Sequence, residues 1–144
     1  VPDTFGDFAG PLAGVLAGMR WALSHVPEAR SIVTVPSDSP LLPHDLVARL
    51  RAGQPPQRET IVLAQSSGRQ HPVVALWPVS LADDLQAALE AGVRKILAWT
   101  DRHGAAQVSF PPVRLAGVEF DSFFNANTPE EFETLRGLLE AGER

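Results

Sequence analysis

Apolar residues recur at spacings of three and four near the start of the chain: Leu12, Val15, Leu16, Met19, Leu23 and Val26. That period gathers them into one stripe and predicts a helix over residues 12–25. Gly14 and Gly18 lie inside it, each weakening a helix by about 1 kcal/mol relative to Ala. A helix carries such residues where something must come close to its backbone. Residues 3–11, rich in Gly, Asp and Pro, read as a loop before it. The run Ser31-Ile-Val-Thr-Val35 reads as a buried strand. Residues 43–51 read as a short helix, with Pro43 in its first turn, where a missing N–H does no harm. A turn follows at 53–58. Strands are predicted at 60–64 and 72–77, joined by a polar, hairpin-like connection over 65–71. Residues 80–91 form the next helix, with Ser80 as N-cap and Gly92 just past its end. A second helix is expected over 93–103, stopped at Gly104, and then strands at 106–110 and 114–120. The run Asn127-Thr-Pro-Glu-Glu131 places Thr128 at an N-cap, Pro129 at the first helical position and Glu131 three residues after the cap. That is a capping box. The helix it opens is expected to bury Phe132, Leu135, Leu138 and Leu139.

Strands alternating with helices predict an α/β sheet, here as one domain over residues 1–144. In such sheets ligands bind outside the carboxyl ends of the strands. Asp38 falls there, and so does Asn125 if a strand precedes it. Composition then removes several classes. A hydrophobic fraction of 44% supports a core. A net charge of −5 with scattered basic residues argues against nucleic-acid binding. No stretch is long and apolar enough to span a bilayer, so no membrane partner is expected. With no cysteine there is neither a disulfide framework nor a thiolate metal site, which suits a reducing cytoplasm. The four histidines show no zinc spacing.

Each candidate has a plain structural reading beside the chemical one. Asp38 can be an ordinary turn acid. Pro36, Pro40 and Pro43 around it would also fix where a carboxylate points, as a metal ligand requires. Asp3 and Asp7 precede Gly10-Pro-Leu-Ala-Gly14, either a turn into a helix or an anion-accepting loop at a helix N-terminus. Arg69 and His71 lie between two strands as loop residues or as phosphate contacts. Arg94-Lys95 can be a solvated face or a phosphate site. Asn127 can support its turn through an Asx-type bond. Asn125 has no evident structural task, and its amide could bind a substrate hydroxyl or phosphate, or sit next to a metal.

Taken together, GPLAG at 10–14, VPSDSPLLP at 35–43, GRQHPVVAL at 68–76 and FFNANTPEE at 123–131 resemble the molybdenum cofactor guanylyltransferase family. The resemblance covers essentially all 144 residues. It implies a Rossmann-like nucleotidyltransferase fold, a three-layer α/β/α sandwich, here lacking the N-terminal strand and glycine-rich loop of that family. It also implies a cytoplasmic enzyme that joins the GMP part of GTP to molybdopterin phosphate and releases pyrophosphate, with Mg2+. Other cofactor-biosynthesis or acceptor proteins would be its partners. Carried over by position, Asp38 would be the magnesium ligand and Asp3 would lie in the guanine-nucleotide site. Gly10 and Gly14 would let the nucleotide approach the backbone. Asn125 and Asn127 would be active-site amides on the pterin side, and Arg94 a basic residue of the pocket.

The sequence opens Val-Pro-Asp, which reads as the end of a strand running into a turn. The expectation is that the chain is the C-terminal portion of a longer enzyme. Alone it is expected to be inactive and to carry an open sheet edge. Two other readings stand beside the guanylyltransferase. One is a molybdopterin cytidylyltransferase. The other is a non-catalytic module that binds molybdopterin or a partner enzyme.

Overall fold

A computed structural model describes residues 10–36, 42–55, 59–115, 117–121, 123 and 128–142, with the backbone alone for 115 and 138–142. Helix α1, Pro11–His25, opens at Gly10 with Pro11 in its first turn. Leu12, Val15, Leu16 and Met19 are buried as the stripe predicts, and Ala13, Ala17 and Ala22 widen it. Leu23 and Val26 are exposed instead. The two glycines differ. A Cβ on Gly18 would stand 2.9 Å from Ile32 Cδ1, so a neighbouring strand does come close there. At Gly14 no described atom would lie within 4 Å.

The main sheet has the order β1-β3-β2-β4. Its strands are β1 (Ser31–Thr34), β2 (Val62–Ser66), β3 (Arg69–Pro78) and β4 (Ala106–Ser109). Strand β3 runs antiparallel to β1 and β2, while β2 and β4 are parallel. Alternate side chains sort to the two faces. Ile61, Leu63, Ala75 and Trp77 join α1, α3 (Ala82–Glu90) and α4 (Ile96–Thr100) in one core. Val62, Ala64, Val74 and Leu76 join α2 (Leu46–Ala52), Phe110 and Phe123 in the other. This is the expected three-layer arrangement. The first strand departs from expectation: all four residues of β1 are half-buried, because among the described residues it is paired on one side only.

Between β2 and β3 the expected polar connection is mostly strand. Ser67 and Gly68 have φ of 50° and 74°, the pair of positive values a two-residue type I′ hairpin requires. Gln65 therefore pairs with Gln70, and Ala64 with His71. The register then slips, Leu63 pairing with Ala75. Pro72 falls in this irregular stretch, where a residue without a ladder donor is tolerated.

The helices also start and stop differently from the pattern. Helix α2 begins at Leu46, after a turn in which the Leu46 amide donates to Pro43 O. Ser80 is not an N-cap. It lies in the 3-10 turn Val79–Leu81, and its hydroxyl donates to Glu59 Oε2 at 3.1 Å. Helix α3 ends in a Schellman motif: the Gly92 amide donates to Leu89 O, the Val93 amide to Ala88 O, and Gly92 has φ 96°. That stop outweighs helical character further on. The helix expected over 93–103 shrinks to α4 and the 3-10 turn Asp101–His103, ended by Gly104 in the left-handed region.

Asp84 fastens these pieces together. Its Oδ1 accepts the Trp99 indole N–H at 2.8 Å and lies 2.9 Å from His103 Nε2. The Trp99 bond, with His103 beside it, holds the Asp84 carboxyl below its ordinary value despite partial burial. A depressed pKa gives stability that is present above the unfolded value, about 3.9, and lost as pH falls through the folded one. Asp84→Asn is therefore expected to flatten the loss of stability below pH about 4, read as urea midpoints across pH 2–7.

The segment expected as one strand over 114–120 is a hairpin of β5 (Val113–Leu115) and β6 (Val118–Phe120), because Gly117, with φ 80°, folds it back. Helix α5, Pro129–Gly142, packs on β5. Thr128 Oγ1 accepts the Glu131 amide at 3.1 Å, as the capping pattern predicts. Leu135 is buried, but Phe132 is half exposed, since this narrow second sheet covers only part of the helix face. Leu138 and Leu139 have no described side chains. Among the described residues no helix is long and apolar enough to cross a membrane.

Gly53 closes α2 against the sheet. A Cβ there would collide with Val108 Cγ2 and stand 3.1 Å from Val62 Cγ1. Gly53→Ala is expected to cost about 1–3 kcal/mol in urea unfolding, since both neighbours are branched side chains already packed in the sheet.

Candidate functional site at the carboxyl edge of the sheet

Topology brings distant parts of the sequence to one edge. Strand β1 ends there at Thr34, β2 at Ser66 and β4 at Ser109, and antiparallel β3 begins there. The short link from α1 to β1 makes α1 run the opposite way, so Gly10 lies at this edge. Helix α3 is antiparallel to α1. Arg20, late in α1, donates to Asp83 Oδ1 at 2.8 Å and to Gln86 Oε1 at 2.6 Å, early in α3. The end of α3, with Arg94 just beyond it, therefore lies towards the N-terminal end of α1.

The chemistry described at this edge centres on Ser66, His71 and Asp121. The Ser66 hydroxyl donates to the Asp121 carboxylate, 2.8 Å from both Oδ1 and Oδ2. Its one hydrogen is thereby used. The 2.7 Å contact between Ser66 Oγ and His71 Nε2 is closed by a hydrogen on the ring nitrogen. Asp121 Oδ1 also accepts the Phe123 amide at 2.8 Å. Burial alone would raise the Asp121 carboxyl. The Phe123 amide, the Ser66 and Ser67 hydroxyls and nearby His71 outweigh it and hold the group below the usual carboxylate range. Phe123 is buried, its ring 4.8 Å from His71 and 5.3 Å from Phe110 between centroids. Arg49 lies over Phe110 at 5.6 Å while bonded to Asp45 at 2.7 Å.

Of the residues to which the resemblance gives a role, Gly10, Gly14 and Arg94 are described. Gly10 has φ 94°, a backbone that side chains rarely adopt, immediately before Pro11. Gly14 is exposed on the first turns of α1. Arg94 Nη1 donates to Leu89 O at 2.9 Å and to Val93 O at 3.0 Å, so its guanidinium sits on the carbonyl end of α3. Asp3, Asp38, Asn125 and Asn127 lie outside the described residues. Among those described, no group of three or more His, Cys, Asp or Glu could hold a metal ion. Ser66 and Asp121 were missed by sequence reasoning. Asp121 follows a strand end, the same signal that drew attention to Asp38, but with no proline fence to mark it. A separate open cleft of about 830 Å³ is lined by Arg30, Ser31, Arg51, Gln54 and Glu59, among others. It lies at the opposite edge, where β1 and β2 begin.

Solved structures share this architecture. A protein of Aquifex aeolicus VF5 aligns with a TM-score of 0.67 at 19% identity, covering 89% of this chain and 61% of its own. The molybdopterin-guanine dinucleotide biosynthesis protein A of Archaeoglobus fulgidus aligns with a TM-score of 0.57 at 24% identity, covering 96% and 64%. These likenesses show the shared α/β fold. Residues 1–106 match the MobA-like NTP transferase domain, and the chain belongs to that family. It is 48% identical over 140 residues to the molybdenum cofactor guanylyltransferase of Rhizobium meliloti (strain 1021), covering 96% of this chain and 64% of that protein. The protein of the same name from Rhodopseudomonas palustris (strain HaA2) is 47% identical over 139 residues, covering 96% and 63%. The chain thus spans less than two thirds of the length of these relatives.

Proposed function

We propose that the protein is a molybdenum cofactor guanylyltransferase, transferring GMP from GTP to the phosphate of molybdopterin. The observation that carries this reading is the 48% identity over 140 residues to a relative of that name. The molybdopterin phosphate oxygen attacks the α-phosphorus of GTP in line. A new P–O bond forms as the α–β bond breaks, and the electron pair leaves on pyrophosphate. A phosphate nucleophile is already ionised near neutral pH, so no general base is needed. Catalysis then rests on positioning and charge.

Both substrates are anionic and repel each other. A magnesium ion carried on the triphosphate would offset that repulsion and stabilise charge developing at the α-phosphoryl group. Asp38 is assigned as its carboxylate ligand, a hard oxygen donor. A single protein carboxylate suffices where substrate phosphates and water supply the remaining ligands. Asp3 is assigned to the guanine nucleotide and Asn125 and Asn127 to the pterin side. Arg94, held on the end of α3, is assigned to phosphate. No described atom would lie within 4 Å of a Cβ at Gly10 or Gly14, which supports their assignment to nucleotide approach. The reaction is placed in the cytoplasm.

Competition between GTP and CTP in the full-length gene product, with molybdopterin as acceptor, tests the reading. Dinucleotide formed from GTP in preference to CTP is expected. Preference for CTP would make the protein a cytidylyltransferase. Molybdopterin binding without pyrophosphate release would make it a binding module. Gly14→Ala separates site from scaffold. On helix propensity alone it stabilises by up to about 1 kcal/mol. Under the proposed assignment its methyl group obstructs the nucleotide. A raised melting temperature with a raised KM for GTP is the expected pair of results.

A further inference from the structure

We infer that Ser66, His71 and Asp121 are positioning residues for the transfer site: they tie Asp121 and Phe123, which precede Asn125 and Asn127 in the chain, to the tip of the β2–β3 hairpin. The inference rests on the proposed function, because that reading is what assigns the two amides to the site.

A nucleophilic role for Ser66 fails on geometry. In such a site the histidine accepts the serine hydrogen. Here the hydrogen goes to Asp121, and Ser66 is only 2% exposed, beyond reach of a substrate. What the cluster does is join distant chain. Ser66 ends β2 in the main sheet, and Asp121 directly follows β6 of the second sheet, 55 residues later. A buried hydroxyl donating to an ionised carboxylate forms a charge-assisted bond, stronger than a neutral one. Polar networks whose members are all satisfied rigidify their surroundings.

The pinning continues along the chain. Asp121 holds the Phe123 amide, and the Phe123 ring is wedged between His71 and Phe110. On the far side, Thr128 caps α5. Phe123 and Thr128, the described residues on either side of 124–127, are thus each held by their own contacts. The histidine contributes twice, through its bond to Ser66 and its packing on Phe123. That double use accounts for a histidine at position 71 without a phosphate contact.

The test compares Ser66→Ala, Ser66→Thr and Asp121→Asn in the full-length gene product. Amide hydrogen exchange over residues 121–131 is measured beside steady-state guanylyl transfer. Ser66→Ala is expected to speed exchange in that segment about tenfold, with the α1–β1 region unchanged. It should lower kcat about tenfold to a hundredfold while KM for GTP stays within about twofold, the signature of a misplaced group remote from the nucleotide. Ser66→Thr, which keeps the hydroxyl, should restore both. Asp121→Asn keeps the shape, removes the charge and should repeat the Ser66→Ala result, so it answers for Ser66→Ala if that variant does not fold. Unchanged exchange, or faster exchange with unchanged kcat, overturns the inference and leaves the proposed function intact. A fall in kcat matched by loss of GTP binding and of exchange protection throughout the molecule reduces the cluster to a general stabiliser and also overturns it. A wild-type protein that forms no dinucleotide removes the functional reading and the positioning role with it.

Discussion

Asp38→Asn is expected to slow guanylyl transfer about a hundredfold or more at limiting magnesium, with the melting temperature within about 2 °C of wild type. The substitution keeps the size of the side chain and removes its charge. An amide oxygen is a weaker magnesium ligand than a carboxylate, and it no longer offsets the charge of the cation. Metal stabilisation of a phosphoryl transition state is worth several kcal/mol, and each 1.36 kcal/mol is tenfold in rate. Losing about half of such a term accounts for the expected factor. Excess magnesium should recover part of the rate, because the ion also binds through the triphosphate. Wild-type turnover in Asp38→Asn at limiting magnesium would remove Asp38 from the metal assignment. The small stability change follows from position. Asp38 comes four residues after the end of β1, between Pro36 and Pro40, and those prolines restrict the loop backbone whatever side chain stands between them.

Trp77→Ala is expected to lose about 3–5 kcal/mol in urea unfolding, the range for removing a buried aromatic side chain. Trp77 has no exposed surface and stacks on Trp99 with ring centroids 6.1 Å apart. It therefore joins the sheet to the helical layer formed by α3 and α4. Its indole N–H donates to Thr34 Oγ1 at 2.9 Å, and that hydroxyl in turn donates to Val73 O at 3.0 Å. The truncation opens a cavity and cuts a link between β3 and β1. Trp77→Phe keeps most of the ring and removes the N–H, so it separates the two contributions, with an expected loss of about 1–2 kcal/mol. A loss below about 1.5 kcal/mol for Trp77→Ala would show that α1 and α3 close over the gap. The two substitutions should part cleanly. One removes turnover from a folded protein, and the other lowers stability without touching an assigned site residue.

The hydrophobic pattern was legible wherever one face of an element meets a continuous core. Leu12, Val15, Leu16 and Met19 are buried because α1 lies against the sheet for most of its length. Thr128 caps α5 because that interaction is local, made within four residues. The end of α3 at Gly92 was also legible, since only the local backbone sets it. Other features were decided elsewhere in the molecule. Ser80 looked like a cap until Glu59, distant in sequence, supplied an acceptor for its hydroxyl. Residues 65–71 are polar yet extended, because Ser67 and Gly68 fold the chain back and the ladder continues almost to the turn. Phe132 has the spacing of a core residue, but the two-stranded sheet beside α5 does not cover it.

The candidate site divides in the same way. Sequence by itself determined the alternating α/β plan and marked out the proline-bound acid at Asp38, Gly10 and Gly14, and the resemblance from which their proposed roles come. Each of these is written in contiguous residues, where spacing and backbone restriction act locally. Tertiary structure alone joined Ser66 and His71 to Asp121 and set Arg94 on the end of α3. The direction of a strand fixes which edge its last residue reaches, and that direction depends on pairing between segments far apart in the chain. No local pattern encodes that a serine and an acid 55 residues apart share one hydrogen, because only the folded sheet brings them within 2.8 Å.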